Sequence, residues 1–498
     1  VPRLRPALVI WLLLAAVTNL PYLKAALDAP AGRRFVGFFY YIDDAYNYLS
    51  YAQQAEDGAF LFRNKMVPTD HAPGLVNLEW WTVGRLSALL GGRPALAYRL
   101  FGIAVALLLV TAVDRLLARR GLLPRARLAA LALVFTGAGL GGLLLLLGRP
   151  GQRCLDLTTG LFPFVEMLAN PHFAAATLLL LLALTAFAAG RPGVGLVWGS
   201  LLGLVRPYDL GLLVGARGVG AALTEPPRRW ARALFPLAGL APVFAYNYWV
   251  YLRDERFATY ASATYAMPPL RDFVPALGPA VALAALVWRP PAAGQPTRAA
   301  ELHLAAWAGL GTLLAAAQPV PFPLQFMVGV GLPLLTLAAA GLASRRAAVT
   351  WAAAAGLAST AAVALMLVWV PSPRWHVPAE RLDAAAVLLR RSCGPHDLAL
   401  APPDIGLYTA GLTACRSYVA HAAARGFAQR EQEARAFYGS ADPAWRRALL
   451  DRAAVTRVVL PADPSGSAAG WLGEGAPFTL VGRVGEGPAA IAVYARRN

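Results

Sequence analysis

The chain has 498 residues, 58% of them hydrophobic and only 14% charged, against about 25% charged in an ordinary soluble domain. Its formal net charge of +18 resides in arginines clustered between apolar runs, which suits membrane flanks and argues against nucleic-acid binding, since no polar segment interleaves basic and aromatic residues. Three cysteines exclude a disulfide scaffold and any four-cysteine metal site.

A membrane-spanning helix needs about 20 mostly apolar residues. The first such run, Ala7 to Leu23, follows Arg3 and Arg5 and lacks a small-residue cleavage site, so it reads as a retained anchor helix. Further spans are expected at 97–118, 128–148, 172–189, 194–210, 233–252, 273–288, 301–317, 324–343 and 347–370. Segment 210–223 is short for a span, yet the topology closes only if it returns the chain across the membrane. Arginine placement sets the orientation. With Arg119, Arg120, Arg125, Arg127, Arg228, Arg229, Arg232, Arg289, Arg298, Arg345 and Arg346 inside, the N-terminus is cytoplasmic. Loops 24–96, 149–171, 253–272 and 318–323 are then outside, with everything after residue 370.

From residue 376 the apolar stretches shorten to strand length, at Leu398 to Ala401, Arg457 to Leu460, Phe478 to Val481 and Ala489 to Tyr494. Amphipathic helical stretches at 379–391, 425–438 and 443–453 lie among them. This alternation predicts a small α/β domain over 376–498, and about 120 residues suffice for one core. The expected fold is an α-helical polytopic membrane protein of about ten or eleven spans, residues 1–375, carrying that domain outside the cytoplasm.

Chemistry concentrates in the outer loops. The first is roughly 70 residues long, and structureless loops beyond about 15 residues are uncommon in compact domains. Asp43 and Asp44 follow the aromatic patch Phe38 to Tyr41, and Tyr46, Leu49 and Gln53 continue at helical spacing. The acid pair thus opens a helix near the membrane surface, where a carboxylate also suits the helix dipole, so capping and catalysis both account for it. The second outer loop holds Asp156, Glu166, Asn170 and His172; capping of the helix that starts near Pro171 accounts for Asn170 equally well. Candidate cations for a phosphate are Lys65, His71, Arg206, Arg253 and Arg256. Arg206 stands at the end of an apolar run in LVRPYD, where a charge marks either a functional site or an ion pair to Asp209 three residues on. Arg253 and Arg256 flank Asp254 and Glu255, which reads as a solvated charge cluster.

The string DDAYNYLSYAQQAEDGAFLFRN resembles the first periplasmic loop of bacterial GT-C glycosyltransferases, membrane enzymes that use polyprenyl-phosphate sugars. It is nearest to arabinofuranosyl- and mannosyltransferases, whose loop reads approximately D-D-A-Y-x-Y-x-x-Y-A-x-x-x-x-x-G; here Asp43, Asp44, Ala45, Tyr46, Tyr48, Tyr51, Ala52 and Gly58. His71 to Trp81 is similar to the family segment leading into an amphipathic helix along the membrane, and Pro321 to Leu342 to a late family helix. There Gln325–Phe326 stands where the family has a basic–aromatic pair. The resemblance implies a first-loop aspartate, Asp43 or Asp44, as general base. It implies donor- or acceptor-binding residues among Tyr46, Lys65, His71, Glu166, His172, Arg206 and Arg256, and a divalent ion (Mg or Mn) at Asp156 or Glu166. The implied partners are a polyprenyl-phosphate-linked sugar, the bilayer of a bacterial inner membrane and an envelope acceptor, with no nucleic acid.

No Walker-type phosphate loop, dinucleotide glycine pattern or HExxH pair is present, which favours a lipid-linked donor over a nucleotide sugar. Two readings compete with the enzyme. A transporter or flippase of lipid-linked sugars should show paired broken helices with mid-membrane polar residues, and a non-catalytic assembly protein should lack the acid pair. Cys393 and Cys415 lie in the outer region, where either a disulfide or two buried thiols accounts for them.

Overall fold

The computed structural model describes residues 5–147, 155–158, 160–254, 257, 267–342, 360, 367–368, 375–440, 442–461 and 478–497. Their contacts divide the chain into two compact units. One takes the described residues of Val1–Lys24, Tyr98–Trp249 and Ala263–Pro371; the other takes those of Ala25–Ala97, Val250–Ser262 and Ser372–Asn498.

The first unit is helical. Among the described residues, six helical stretches are long and apolar enough to cross a membrane: Pro6–Leu27, Pro94–Arg119, Pro171–Ala188, Pro227–Arg253, Arg298–Ala317 and Pro323–Leu342. Segment 210–223 lies in one continuous helix, Tyr208–Thr224, of 17 residues. The span expected over 347–370 falls outside the described residues except for Thr360, Leu367 and Val368.

Where the sequence predicts one span over 128–148, two helices stand, Pro124–Thr136 and Gly141–Leu146. The interruption falls on the local glycines Gly137 and Gly139, and its backbone meets another helix, Leu270–Val287, which contains Pro275 and Pro279. Pro279 has no N–H, so the Pro275 carbonyl four residues earlier loses its helical donor. The Leu140 N–H takes that carbonyl at 2.9 Å. Gly139 permits the approach, since a Cβ there would collide with the Ala276 carbonyl. A similar vacancy arises at Pro171, which cannot serve the Met167 carbonyl. Arg99 fills it from Pro94–Arg119: its Nη2 donates to Met167 O at 3.0 Å and its Nη1 to Leu168 O at 3.1 Å.

The second unit is built around helix α1 (Ile42–Glu56), on which α2 (Leu78–Leu89) and α3 (Pro403–Leu412) pack. Asn77 caps α2, its side chain accepting from the Glu79 and Trp80 N–H groups. Two glycines allow the close crossings. A Cβ on Gly84 would collide with the Ala52 carbonyl oxygen, and one on Gly411 would stand 2.6 Å from the Tyr46 ring. Strand β1 (Arg33–Phe35) pairs antiparallel with β2 (His376–Pro378), fastening the first loop to the C-terminal region.

That region holds a five-stranded sheet of order β4-β3-β5-β7-β6, formed by β3 (Leu398–Leu400), β4 (Arg416–Ser417), β5 (Arg457–Pro461), β6 (Phe478–Val484) and β7 (Ile491–Arg496). β3 runs parallel to β4 and β5, whereas β7 is antiparallel to β5 and β6. Leu398, Leu400, Val458 and Leu460 bury one core with Phe437 and Leu449, from helices α4 (Phe427–Gly439) and α5 (Pro443–Arg452). The strands expected from the sequence fall on β3, β5, β6 and β7, and Pro403, a residue type equally common in turns, begins α3. Proline suits the first helical turn, so the same residue serves either role. Cys393 and Cys415 form a disulfide with Cα atoms 5.3 Å apart.

Gly84→Ala should destabilise the detergent-solubilised protein by about 1–3 kcal/mol, because the added methyl meets backbone that cannot turn aside. Gly439→Ala, which adds its methyl to open space, is the control. A thermal midpoint for Gly84→Ala equal to that of Gly439→Ala would show that this crossing is not tight.

Candidate functional site

The acid pair stands in the first turn of α1. Tyr41 precedes it in the left-handed region, φ 48° and ψ 46°, and contributes no side-chain cap. A non-glycine residue there costs roughly 1–2 kcal/mol, and such strain clusters at functional sites. Asp43 is exposed to solvent. Partial burial nevertheless raises its carboxyl above the ordinary range, and Asp44 adds to the rise. The Asp44 Oδ1 lies 3.1 Å from His421 Nε2, and the imidazole is buried. His421 escaped the sequence reading. It is a single histidine in an alanine-rich stretch, and its sequence separation from Asp44 leaves no local pattern to read.

His421 follows a segment fixed at several points. Cys415 carries the disulfide, the Ser417 N–H donates to Lys65 O at 3.0 Å, and the Ser417 hydroxyl donates to Val419 O at 2.8 Å. The Ala424 N–H then closes a turn on His421 O at 2.9 Å.

The other first-loop candidates are integrated into the packing. Tyr46 is buried, its hydroxyl donating to Val36 O at 3.1 Å and its ring 4.8 Å from that of Tyr408. Lys65 is also buried, and its ammonium donates to Gln53 Oε1 at 2.6 Å and to the Thr413 carbonyl. Burial lowers that ammonium from the ordinary 10.5 to about 7; Asp57 opposes the fall and Arg390 adds to it. Lys65 thus ties α1 to the end of α3. His71 accepts the Asn64 N–H at Nε2, 3.3 Å away, and stacks on Phe257. Its neighbour Asp70 pairs with Arg63 at 3.1 Å and His396 at 2.8 Å. Its carboxyl is held below the ordinary range, first by the hydrogen bond from His396.

In the helical unit, Arg206 is buried and forms the ion pair with Asp209 that the sequence left open. Its Nη2 donates to Gln325 O at 2.8 Å and also to the Gln325 side chain. A basic group therefore does stand at Gln325, supplied by Arg206. Glu166 is fully buried, with Oε1 accepting from Thr177 Oγ1 at 2.9 Å. Burial raises its carboxyl to about 8, against the opposing effects of Thr177 and Arg206. His172 is buried, and its N–H donates to the Tyr98 hydroxyl at 3.0 Å. Asp156 is buried with Oδ2 accepting the Gly141 N–H at 3.0 Å. Arg256 lies outside the described residues. Among the described residues no three His, Cys, Asp or Glu side chains gather as a metal site would require. Arg99, which the sequence reading passed over, was signalled by its charge within the apolar run 97–118.

No family model and no curated protein matches the chain. Among solved structures, that of ArnT from Cupriavidus metallidurans bound to undecaprenyl phosphate is similar over 98% of this chain and 97% of that one, with a TM-score of 0.50 at 14% identity. The oligosaccharyltransferase of Archaeoglobus fulgidus, solved with zinc and sulfate, is similar over 90% of this chain and 67% of its own, with a TM-score of 0.42 at 11% identity. At the level of the fold the chain is similar to ArnT, a mostly helical membrane architecture with a small C-terminal sheet region.

The placement of Lys65 gives a pH dependence. Between about 7 and 10.5 the unfolded chain binds more protons at this residue than the folded chain. Its contribution to stability is therefore full above the unfolded value and is lost as pH falls through about 7. From pH 7 to 9 the thermal midpoint of the wild type should rise relative to that of Lys65→Met. Parallel profiles for the two proteins would contradict this.

Proposed function

We propose that the protein is a glycosyltransferase that moves a sugar from a polyprenyl-phosphate donor to a hydroxyl of an envelope lipid, glycan or protein, at the outer face of the inner membrane. The observation that carries this reading is the acid pair: Asp43 exposed in a strained first turn, beside Asp44 held by a buried histidine. The ArnT-like fold supports it, because the solved ArnT binds undecaprenyl phosphate.

In the proposed step an acceptor oxygen bonds to C1 of the sugar while its proton passes to the Asp43 carboxylate. The bond from C1 to the phosphate oxygen breaks, and its electron pair leaves with the polyprenyl phosphate. A raised carboxyl suits a general base, whose strength should approach the working pH. Charge that grows on the leaving phosphate calls for nearby cations.

A divalent ion, which the resemblance implies, does not fit Asp156 and Glu166 as they stand. Each keeps one buried oxygen without a hydrogen bond, Asp156 Oδ1 and Glu166 Oε2, but among the described residues no three His, Cys, Asp or Glu side chains gather around either. No step is assigned to a metal.

Asp43→Asn should fold with an unchanged thermal midpoint and lose about 10²–10⁴-fold in transfer rate. Asp44→Asn should lose less. Both are measured with purified protein and a donor that the wild type turns over. If the single and double variants all keep wild-type turnover, the acid pair is not catalytic, and the transporter reading becomes the stronger one.

A further inference from the structure

Besides its contact with Asp44, the His421 ring makes a second hydrogen bond that fixes its protonation pattern. The Ala423 N–H donates to Nδ1 at 3.0 Å. A backbone N–H can only donate, so Nδ1 carries a lone pair and the ring proton sits on Nε2. Nε2–H therefore donates to Asp44 Oδ1, 3.1 Å away. That contact gives the Asp44 carboxylate one orientation.

Two adjacent carboxylates can otherwise trade roles or share a proton. Here they differ in partner rather than in exposure: the Asp44 side chain, itself 46% exposed, has a buried imidazole against it, and Asp43 also faces solvent. The imidazole comes from a turn fixed upstream by the Cys393–Cys415 disulfide and by Ser417 on Lys65. Tyr41, in its left-handed conformation, sets where the first turn of α1 begins.

We propose that His421 is a positioning residue for the transfer reaction: its Nε2–H holds Asp44 Oδ1 in one orientation and so leaves Asp43 to take the proton from the acceptor hydroxyl. This role rests on the glycosyltransferase reading. It adds a residue of the C-terminal region to the working parts of the first loop, and both belong to one compact unit.

Two variants separate the role from simple packing. In His421→Asn the short amide oxygen can still accept the Ala423 N–H, as asparagine does in turns, but its nitrogen cannot reach Asp44. In His421→Gln the longer amide can reach Asp44 and donate. With a polyprenyl-phosphate sugar that the wild type uses, His421→Asn should lower kcat by about 10- to 100-fold, the range of a hydrogen bond to a charged group. Its KM for the donor and its thermal midpoint should stay as in the wild type, and His421→Gln should recover most of the rate. In an Asp44→Asn background, His421→Asn should cost nothing further, because the partner is already gone. Wild-type kcat in His421→Asn, a His421→Gln as slow as His421→Asn, or full additivity with Asp44→Asn would each overturn the role. If Asp43→Asn is inactive while His421→Asn is not impaired, the glycosyltransferase reading stands and this role falls. Absence of transfer by the wild type from every polyprenyl-phosphate sugar removes both together.

Discussion

A backbone carbonyl without a donor is costly where no water can reach it, and that constraint shapes the helical unit. Prolines create the vacancies. Pro279 strands the Pro275 carbonyl, and the N–H of Leu140, at the break between two short helices, answers it. Pro171 strands the Met167 carbonyl, and Arg99 answers that one while its Nε donates to the Asn19 side chain at 3.0 Å. The guanidinium also lies 4.0 Å from the centre of the Tyr22 ring. Arg99 thereby fixes the end of the short helix Pro163–Ala169, which carries Glu166. A charge in an apolar segment is here explained by backbone chemistry.

The other unit obeys a different logic. Its first-loop portion and the C-terminal region are joined at several points. The β1–β2 pair, the Lys65 ammonium on the Thr413 carbonyl, and Tyr46 against Gly411 all join the two. Lys65 and Tyr46, which read as ligand-binding candidates in the sequence, are the residues that make these joints. Asp43 stands apart from them because it remains exposed. A catalytic carboxylate must meet substrate, and a preorganised surround holds it in place better than a mobile loop would.

Local pattern made much of this legible. Apolar length marked the membrane helices, and short alternating segments marked β3, β5, β6 and β7. The acid pair was legible as the opening of a helix. What stayed hidden depends on contacts between residues far apart in sequence. The break after Thr136 falls on Gly137 and Gly139, but the Pro275 carbonyl that the Leu140 N–H finds there lies far along the chain. His421 reaches Asp44 only after the chain has folded, and nothing around it in sequence announces the pairing. The two-residue strand β4 is too short to carry a period-2 signal. Arg206 was visible as an anomaly, but its contact with Gln325 was not, because the two lie in different segments of the unit.

The central claim is that this chain transfers a sugar from a polyprenyl phosphate. The most direct test is to incubate the purified, detergent-solubilised protein with a panel of polyprenyl-phosphate sugars and envelope acceptors, and to measure released polyprenyl phosphate by mass spectrometry. The account predicts release with at least one donor, dependent on an acceptor, at a rate far above that of Asp43→Asn. Release that never exceeds that of Asp43→Asn, across the whole panel, would contradict it.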